Sequence, residues 1–101
     1  MQITYETSVA NAMIWQLIIA NTGELFTPLH GKISFVREIN DDVLKIRYEF
    51  FTAAPITINY TCSTPDGTTF NDPKKASPYI STNNKHDSIS IRLKKRERNL
   101  L

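Results

Sequence analysis

The sequence has 101 residues and a mass of 11.6 kDa, which is room for one domain with a modest hydrophobic core. Hydrophobic residues make up 41% and charged residues 22%, which excludes disorder throughout, and no apolar run approaches the roughly 20 residues that a membrane helix needs. The net charge of +2 divides unevenly, because residues 1–50 hold six acidic and four basic residues, whereas residues 51–101 hold four acidic and eight basic ones. We expect a single domain over residues 1–101, without a secretion signal and located in the cytoplasm, with its basic end over residues 94–101 as a candidate for disorder.

Residues 8–21 carry apolar side chains at a helical spacing, with Val9 and Met13 on one arc at about 100° per residue. This spacing predicts an N-terminal helix. The helix places Trp15 and Ile19 on its other side, where polar residues are expected. These two residues either tuck against a loop or the C-terminal segment of the chain, or form an exposed apolar patch that another protein covers.

Beyond the helix, apolar residues alternate with polar ones. The alternation predicts strands over residues 33–39 and 43–50, joined as an antiparallel hairpin by a turn of Asn and Asp residues. Further strands are predicted over residues 56–62, 68–70 and 88–94. The prediction is therefore an α+β fold in which the N-terminal helix packs on an antiparallel sheet of four to five strands. Exposed edge strands in so short a sheet allow a homodimer through strand pairing.

Few residues have the arrangement that catalysis or metal binding needs. His30 and His86 have no second ligand at a spacing that suits a metal ion. His86 is followed by Asp87, but neighbours on a strand point to opposite faces and do not form a base with its orienting acid. Cys62 is the single cysteine, which excludes an internal disulfide, and it lies on the apolar side of its strand. We predict a protein that is not an enzyme and needs no cofactor and no metal.

A basic stripe near the C-terminus is the densest charge in the sequence, and its candidate nucleic-acid contacts are Arg92, Lys94 and Arg96. Such a stripe neutralises phosphates and gives salt-sensitive binding. Tyr79 is the only aromatic residue after Phe70, so no stacking platform accompanies the charge. The stripe is either this nucleic-acid site, or a solvated tail, or a patch that meets an acidic protein.

The first half of the sequence combines SVANAM at residues 8–13, TPLH at residues 27–30, ISF at residues 33–35 and INDDVLKIRYEF at residues 39–50. This combination resembles small bacterial immunity proteins of the colicin and contact-dependent growth inhibition type, over residues 5–54. The resemblance implies a cytoplasmic, non-enzymatic protein that binds the toxin domain made by its own cell or its siblings.

These observations favour a non-enzymatic immunity protein that binds and neutralises a cognate protein toxin. The anchor for binding is either the acidic turn with Glu38, Asp41 and Asp42, or the patch of Trp15 and Ile19. The alternative is a small nucleic-acid-binding protein that uses the basic stripe. Neither function involves a membrane.

Overall fold

The structure, a computed structural model, describes residues 1–51 and 55–93. Within these residues the chain forms nine β-strands and no helix. The strands are β1 Gln2–Ala10, β2 Trp15–Ile19, β3 Glu24–Phe26, β4 Lys32–Glu38, β5 Val43–Phe50, β6 Ile56–Ser63, β7 Thr69–Phe70, β8 Tyr79–Ser81 and β9 His86–Arg92. None of the described segments is a helix of the length and apolarity that crosses a bilayer.

The predicted N-terminal helix is wrong, because residues 8–21 contain the end of β1 and all of β2. In β2 the side chains of Trp15, Leu17 and Ile19 are buried and alternate with half-buried ones, which is the period of a strand. The helical spacing is misleading here since apolar residues occupy both faces of the segment, and both periods fit it. Asn11 has a φ of 70°, which turns the chain between the two strands. Over the described residues the protein is therefore all-β and not an α+β fold.

The strands form two antiparallel sheets. Sheet 1 has the order β4-β1-β6, and β7 and β8 pair one after the other along the remaining edge of β6. Sheet 2 has the order β3-β2-β5-β9. In sheet 1 Tyr5 lies opposite Phe35 and Cys62, and in sheet 2 Tyr48 lies opposite Leu17. Residues that lie opposite each other share a face of their sheet, so these registers determine which side chains meet.

The predicted hairpin of residues 33–39 and 43–50 is also wrong, although both segments form strands. β4 pairs with β1 in sheet 1, whereas β5 pairs with β2 and β9 in sheet 2. Residues 39–42 therefore cross from one sheet to the other instead of closing a turn within one. Alternation is a local property of the sequence, but the pairing partner depends on contacts far along the chain. The strands predicted later in the chain are confirmed as β6, β7 and β9.

The inward-facing side chains of the two sheets form one hydrophobic core. Phe26 of sheet 2 stacks on Phe35 of sheet 1 with 4.6 Å between ring centroids, and Trp15 stacks on Tyr48 at 6.2 Å. The largest fully buried side chains are Tyr5, Tyr48, Phe50, Ile3, Leu17, Ile19, Leu44, Ile46, Ile56, Ile58, Ile89 and Ile91. Burial of this apolar surface is the main stabilising contribution to the fold.

Polar contacts close the two open sides of the sandwich. On one side Arg37 of β4 donates to the carboxylate of Glu24 in β3 at 2.7 Å. On the other side the loop of residues 71–78 covers the free edge of β9, where the Ser90 amide donates to the Asp72 carboxylate at 3.0 Å. This cover satisfies a backbone group of β9 that would otherwise be free to pair with another chain.

Consecutive strands alternate in direction except for β7 and β8, which both run antiparallel to β6, so the other connecting loops gather at the two ends of the sandwich. The loop end is formed by residues 11–14, 27–31 and 82–85 together with Phe51. The turn end is formed by residues 20–23, 39–42 and 64–68. Loops held on a rigid sandwich are the usual location of binding residues, so both ends are candidate sites.

Candidate functional site

Three large apolar residues that are close along the backbone are exposed at the loop end. Met13 is 98% exposed, Ile14 is 66% exposed and Phe51 is 72% exposed. Phe51 lies next to Ile14 because its backbone amide donates to the Ile14 carbonyl oxygen at 3.2 Å. We call these three residues the apolar tip. Contiguous exposed apolar residues on a folded protein mark interaction sites.

The loops at this end contain backbone conformations that L-amino acids rarely adopt. Among the described residues, the non-glycine positions with positive φ are Asn11 at 70°, His30 at 51° and Lys85 at 71°. Each of them lies in a different loop of the loop end. Such conformations cost free energy and concentrate at functional sites. Their location is a second feature, independent of the apolar tip, that distinguishes this end of the sandwich.

A tight turn presents Leu29 at the loop end. The Leu29 amide donates to the Lys32 carbonyl oxygen at 2.9 Å, and the Lys32 amide donates back to the Leu29 carbonyl oxygen at 3.1 Å. The two central residues, His30 and Gly31, both have positive φ, as a type I′ turn requires. Leu29 is exposed and adds a further apolar side chain to this end.

The structure places Trp15 and Ile19 in the core, with exposed fractions of 5% and 0%. As residues of a strand they point inward, whereas the predicted helix turns them outward. No partner contacts them without unfolding β2. Within residues 8–21 the large apolar residues that are exposed are instead Met13 and Ile14, which precede this strand. If the alternation of the strand starts at Trp15, Met13 and Ile14 fall outside the strand. This is the signal in the sequence that identifies these two residues as exposed.

The structure brings Glu38, Asp41 and Asp42 together at the turn end. The N-terminal amino group donates to the Glu38 carboxylate at 2.5 Å. Asn21 donates to the Asp41 carboxylate at 2.8 Å, and the Leu93 amide donates to the Asp42 carbonyl oxygen at 2.8 Å. These contacts hold the crossing loop between β4 and β5 to the first residue, to the turn after β2 and to the end of β9. The predicted acidic anchor is therefore exposed but engaged in holding the fold.

Arg92 is exposed at the end of β9, and Lys94 and Arg96 lie outside the described residues. Arg92 pairs with the first residue of β5, and residues two and four positions further along β5 share its face. These residues are Lys45 and Arg47, which are also exposed. The sequence analysis missed this association because it depends on the pairing of β5 with β9.

A polar cluster is buried between β8, β9 and the loop of residues 71–78. Lys75 Nζ donates to Asp87 Oδ1 at 2.6 Å, and Ser81 Oγ donates to Asp87 Oδ2 at 2.5 Å. Burial by itself raises the pKa of Asp87, but the hydrogen bonds from Lys75 and Ser81 outweigh it and hold the pKa below its ordinary value. Ser81 is fully buried, so the cluster stabilises the fold and meets no substrate. His86 is exposed on the face opposite Asp87, as predicted.

Cys62 is buried, and burial raises the pKa of its thiol to about 12. At neutral pH this thiol stays protonated and is a poor nucleophile. Within residues 1–51 and 55–93, no group of three His, Cys, Asp or Glu side chains is placed to hold a metal ion.

The outer face of sheet 1 contains an open cleft of about 560 Å³. β7 and β8 pair with the two ends of β6 and leave its middle free. Ser77 fills this gap, because its Oγ accepts a hydrogen bond from the Tyr60 amide at 2.9 Å. The polar side chains that line the floor of the cleft are Glu6, Ser8, Lys32, Ser34, Asn59 and Thr61. The cleft is therefore suited to hydrogen bonds with a polar ligand.

Comparison of the chain with protein-family models, curated proteins and solved structures finds no match. The resemblance to immunity proteins thus rests on the sequence pattern, and the helix and hairpin in that pattern are not found in the described part of the chain. Function is inferred from the geometry of the loop end and of the two outer sheet faces.

Proposed function

We propose that this chain is a non-enzymatic immunity protein of the cytoplasm that binds and neutralises a cognate bacterial toxin domain through its loop end. The observation that carries the proposal is the apolar tip. Met13, Ile14 and Phe51 are exposed together, close to strained backbone at Asn11 and Lys85. Exposed apolar surface and backbone strain both cost the isolated protein free energy, and a bound partner removes the first cost by covering the surface.

The apolar tip supplies a substantial part of the free energy that a specific complex needs. Full burial of one side chain the size of Phe51 or Ile14 stabilises a complex by about 1.5 to 3 kcal/mol. Because Met13, Ile14 and Phe51 are 98%, 66% and 72% exposed in the free protein, covering them contributes roughly 4 to 7 kcal/mol before the costs of association. A few residues of this kind dominate the binding energy of an interface. Trp15, which directly follows Ile14, is packed in the core and anchors the backbone on that side of the tip.

The charge of the loop end indicates which charge the rim of the partner's surface carries. The described loops at this end contain the basic residue Lys85 and no acidic residue, whereas the turn end contains Asp41, Asp42 and Asp66. Complementary charges steer association and suppress wrong partners. The proposed toxin surface is therefore apolar at its centre and acidic at its edge.

Isothermal titration of the purified chain against the toxin domain encoded by the adjacent upstream gene tests this proposal. We expect Met13→Asp and Phe51→Asp each to weaken binding by at least about tenfold, because a carboxylate replaces an apolar contact in the interface. Val36→Asp is the matched control, since Val36 is 45% exposed on the outer face of sheet 1. Absence of binding to any neighbouring gene product, or equal losses in all three variants, contradicts the proposal.

A second candidate function is nucleic-acid binding through the outer face of sheet 2. The observation in its favour is that Arg92 shares this face with Lys45 and Arg47. Arg47 also donates to the Glu49 carboxylate at 3.2 Å, but a surface pair of this kind contributes little and exchanges readily for a phosphate. Ser90 lies opposite Lys45 and offers a hydroxyl donor to the sugar-phosphate backbone of the nucleic acid.

Fluorescence anisotropy with labelled duplex DNA over a range of salt concentrations tests the second candidate. Each phosphate contact contributes about 0.9 to the slope of log affinity against log salt. Replacing Lys45, Arg47 and Arg92 by Gln is thus expected to reduce that slope by about 2.7. Lys32→Gln, which removes an exposed charge from sheet 1, is the control and leaves the slope unchanged. A salt-independent affinity in the wild-type chain, or the same slope in the triple variant, excludes this function.

A further inference from the structure

The cleft on the outer face of sheet 1 is lined by polar side chains that have no partner within the described protein. Its floor consists of two rows that run across β4, β1 and β6. One row is Ser34, Glu6 and Thr61, and the other is Lys32, Ser8 and Asn59. None of these six side chains forms a hydrogen bond or an ion pair with another described residue. The hydrogen-bonding capacity of the cleft is therefore available to a ligand.

The fold fixes the positions of these groups. Lys32 closes the type I′ turn with Leu29, and the Tyr60 amide holds Ser77 at the wall of the cleft. Neighbouring strands lie about 4.8 Å apart, and alternate residues of one strand lie about 7 Å apart. The cleft thus presents a grid of donors and acceptors, and a ligand that binds there orders little of the protein.

The size and chemistry of the grid select the class of ligand. A volume of about 560 Å³ is typical of a small-molecule site. The polar floor disfavours an apolar ligand. The carboxylate of Glu6, in the middle of its row, repels a phosphate. Hydroxyl and amide side chains both donate and accept hydrogen bonds, as the hydroxyl groups of a sugar do.

We propose that this cleft binds a carbohydrate, as a site that does not depend on the loop end. The Glu6 carboxylate accepts hydrogen bonds from two neighbouring hydroxyl groups of the sugar. Asn59 and Lys32, which lie on either side of Ser8 in the second row, donate to further hydroxyl oxygens. The cleft accommodates one or two sugar units.

Amide chemical shifts of the isotope-labelled full chain, followed during titration with glucose, N-acetylglucosamine, maltose and cellobiose, test the proposal. We expect saturable shifts at the cleft residues with at least one of these sugars. Asn59→Ala is expected to weaken that binding by at least about fivefold, the effect of one lost hydrogen bond. Thr69→Ala is the matched control, because Thr69 is exposed on β7 beyond the cleft and its loss leaves the affinity unchanged.

Two results overturn the proposal: no saturable shift with any of the four sugars, or equal sugar affinities in the Asn59→Ala and Thr69→Ala chains. Phe51→Asp, which disrupts the apolar tip, is expected to leave sugar affinity unchanged. Failure of toxin binding and failure of sugar binding are therefore distinguishable.

Discussion

Replacing Tyr48 by Phe tests a buried chain of hydroxyl groups that joins the two sheets. The hydroxyls of Tyr5 and Tyr48 are 2.7 Å apart, and the Tyr48 hydroxyl is 2.6 Å from Thr7 Oγ1. Thr7 donates its own proton to the Asn59 carbonyl oxygen at 2.6 Å. Because each hydroxyl has one proton, Tyr48 donates to Thr7, and Tyr5 donates to Tyr48.

The direction of the hydrogen bonds between these hydroxyl groups determines how much stability is lost in Tyr48→Phe. Tyr48→Phe keeps the ring in the core but leaves the fully buried hydroxyl of Tyr5 without an acceptor. We expect a loss of about 2 to 3 kcal/mol in the free energy of unfolding, from the lost hydrogen bonds and the unpaired donor. Tyr5→Phe removes only the first donor and leaves every remaining proton bonded, so its expected cost is about 1 kcal/mol. In the Tyr48→Phe background, Tyr5→Phe removes the unpaired hydroxyl and is expected to be neutral or stabilising.

Urea unfolding of the wild-type chain, the two single variants and the double variant measures these differences. A shift of the urea midpoint at a constant m-value shows that the stability has changed and the denatured state has not. The double-mutant cycle then gives the coupling between the two hydroxyls. Equal costs for the single variants, or additive costs in the double variant, refute the assigned direction of the chain.

Two further predictions concern titratable groups. Burial raises the pKa of Tyr48 above 10.0 and that of Cys62 from 9.0 to about 12. The unfolded chain loses these protons first, so the free energy of unfolding falls as the pH rises above about 9, which urea midpoints across alkaline pH check and a flat profile contradicts. Lys75→Met leaves the Asp87 carboxylate buried without its cation and is expected to cost about 3 kcal/mol at neutral pH. Lys74→Met, at the exposed neighbouring position, is expected to cost less than about 0.5 kcal/mol, and equal urea midpoints of the two variants contradict the role of the pair.

The alternation of apolar residues predicts β5, β6 and β9 because the apolar side chains of each strand lie mainly on one face. In β2, Ile18 lies on the outer face between two buried residues, so the helical and strand periods both fit. The two periods give opposite orientations, since the helix buries Met13 and exposes Trp15, whereas the strand does the reverse. The wrong period therefore also selects the wrong residues for an exposed apolar patch.

Strand pairing is the part of the fold that the local sequence pattern does not determine. Glu6 and Lys32 meet in one cleft only because β1 pairs with β4, and Lys45 joins Arg92 only because β5 pairs with β9. Asn and Asp residues stabilise a tight turn, but they serve equally in a loop that crosses between sheets. The sequence pattern alone therefore does not show which residues share each outer sheet face.

Mapping of the bound surface tests the central claim, which is that the partner binds at the loop end. Amide chemical shifts of the labelled chain, recorded with and without the toxin domain, report the residues in contact. The claim predicts that the perturbed amides cluster at Met13, Ile14, Phe51 and Lys85. Perturbations confined to the turn end, around Asp41, contradict it.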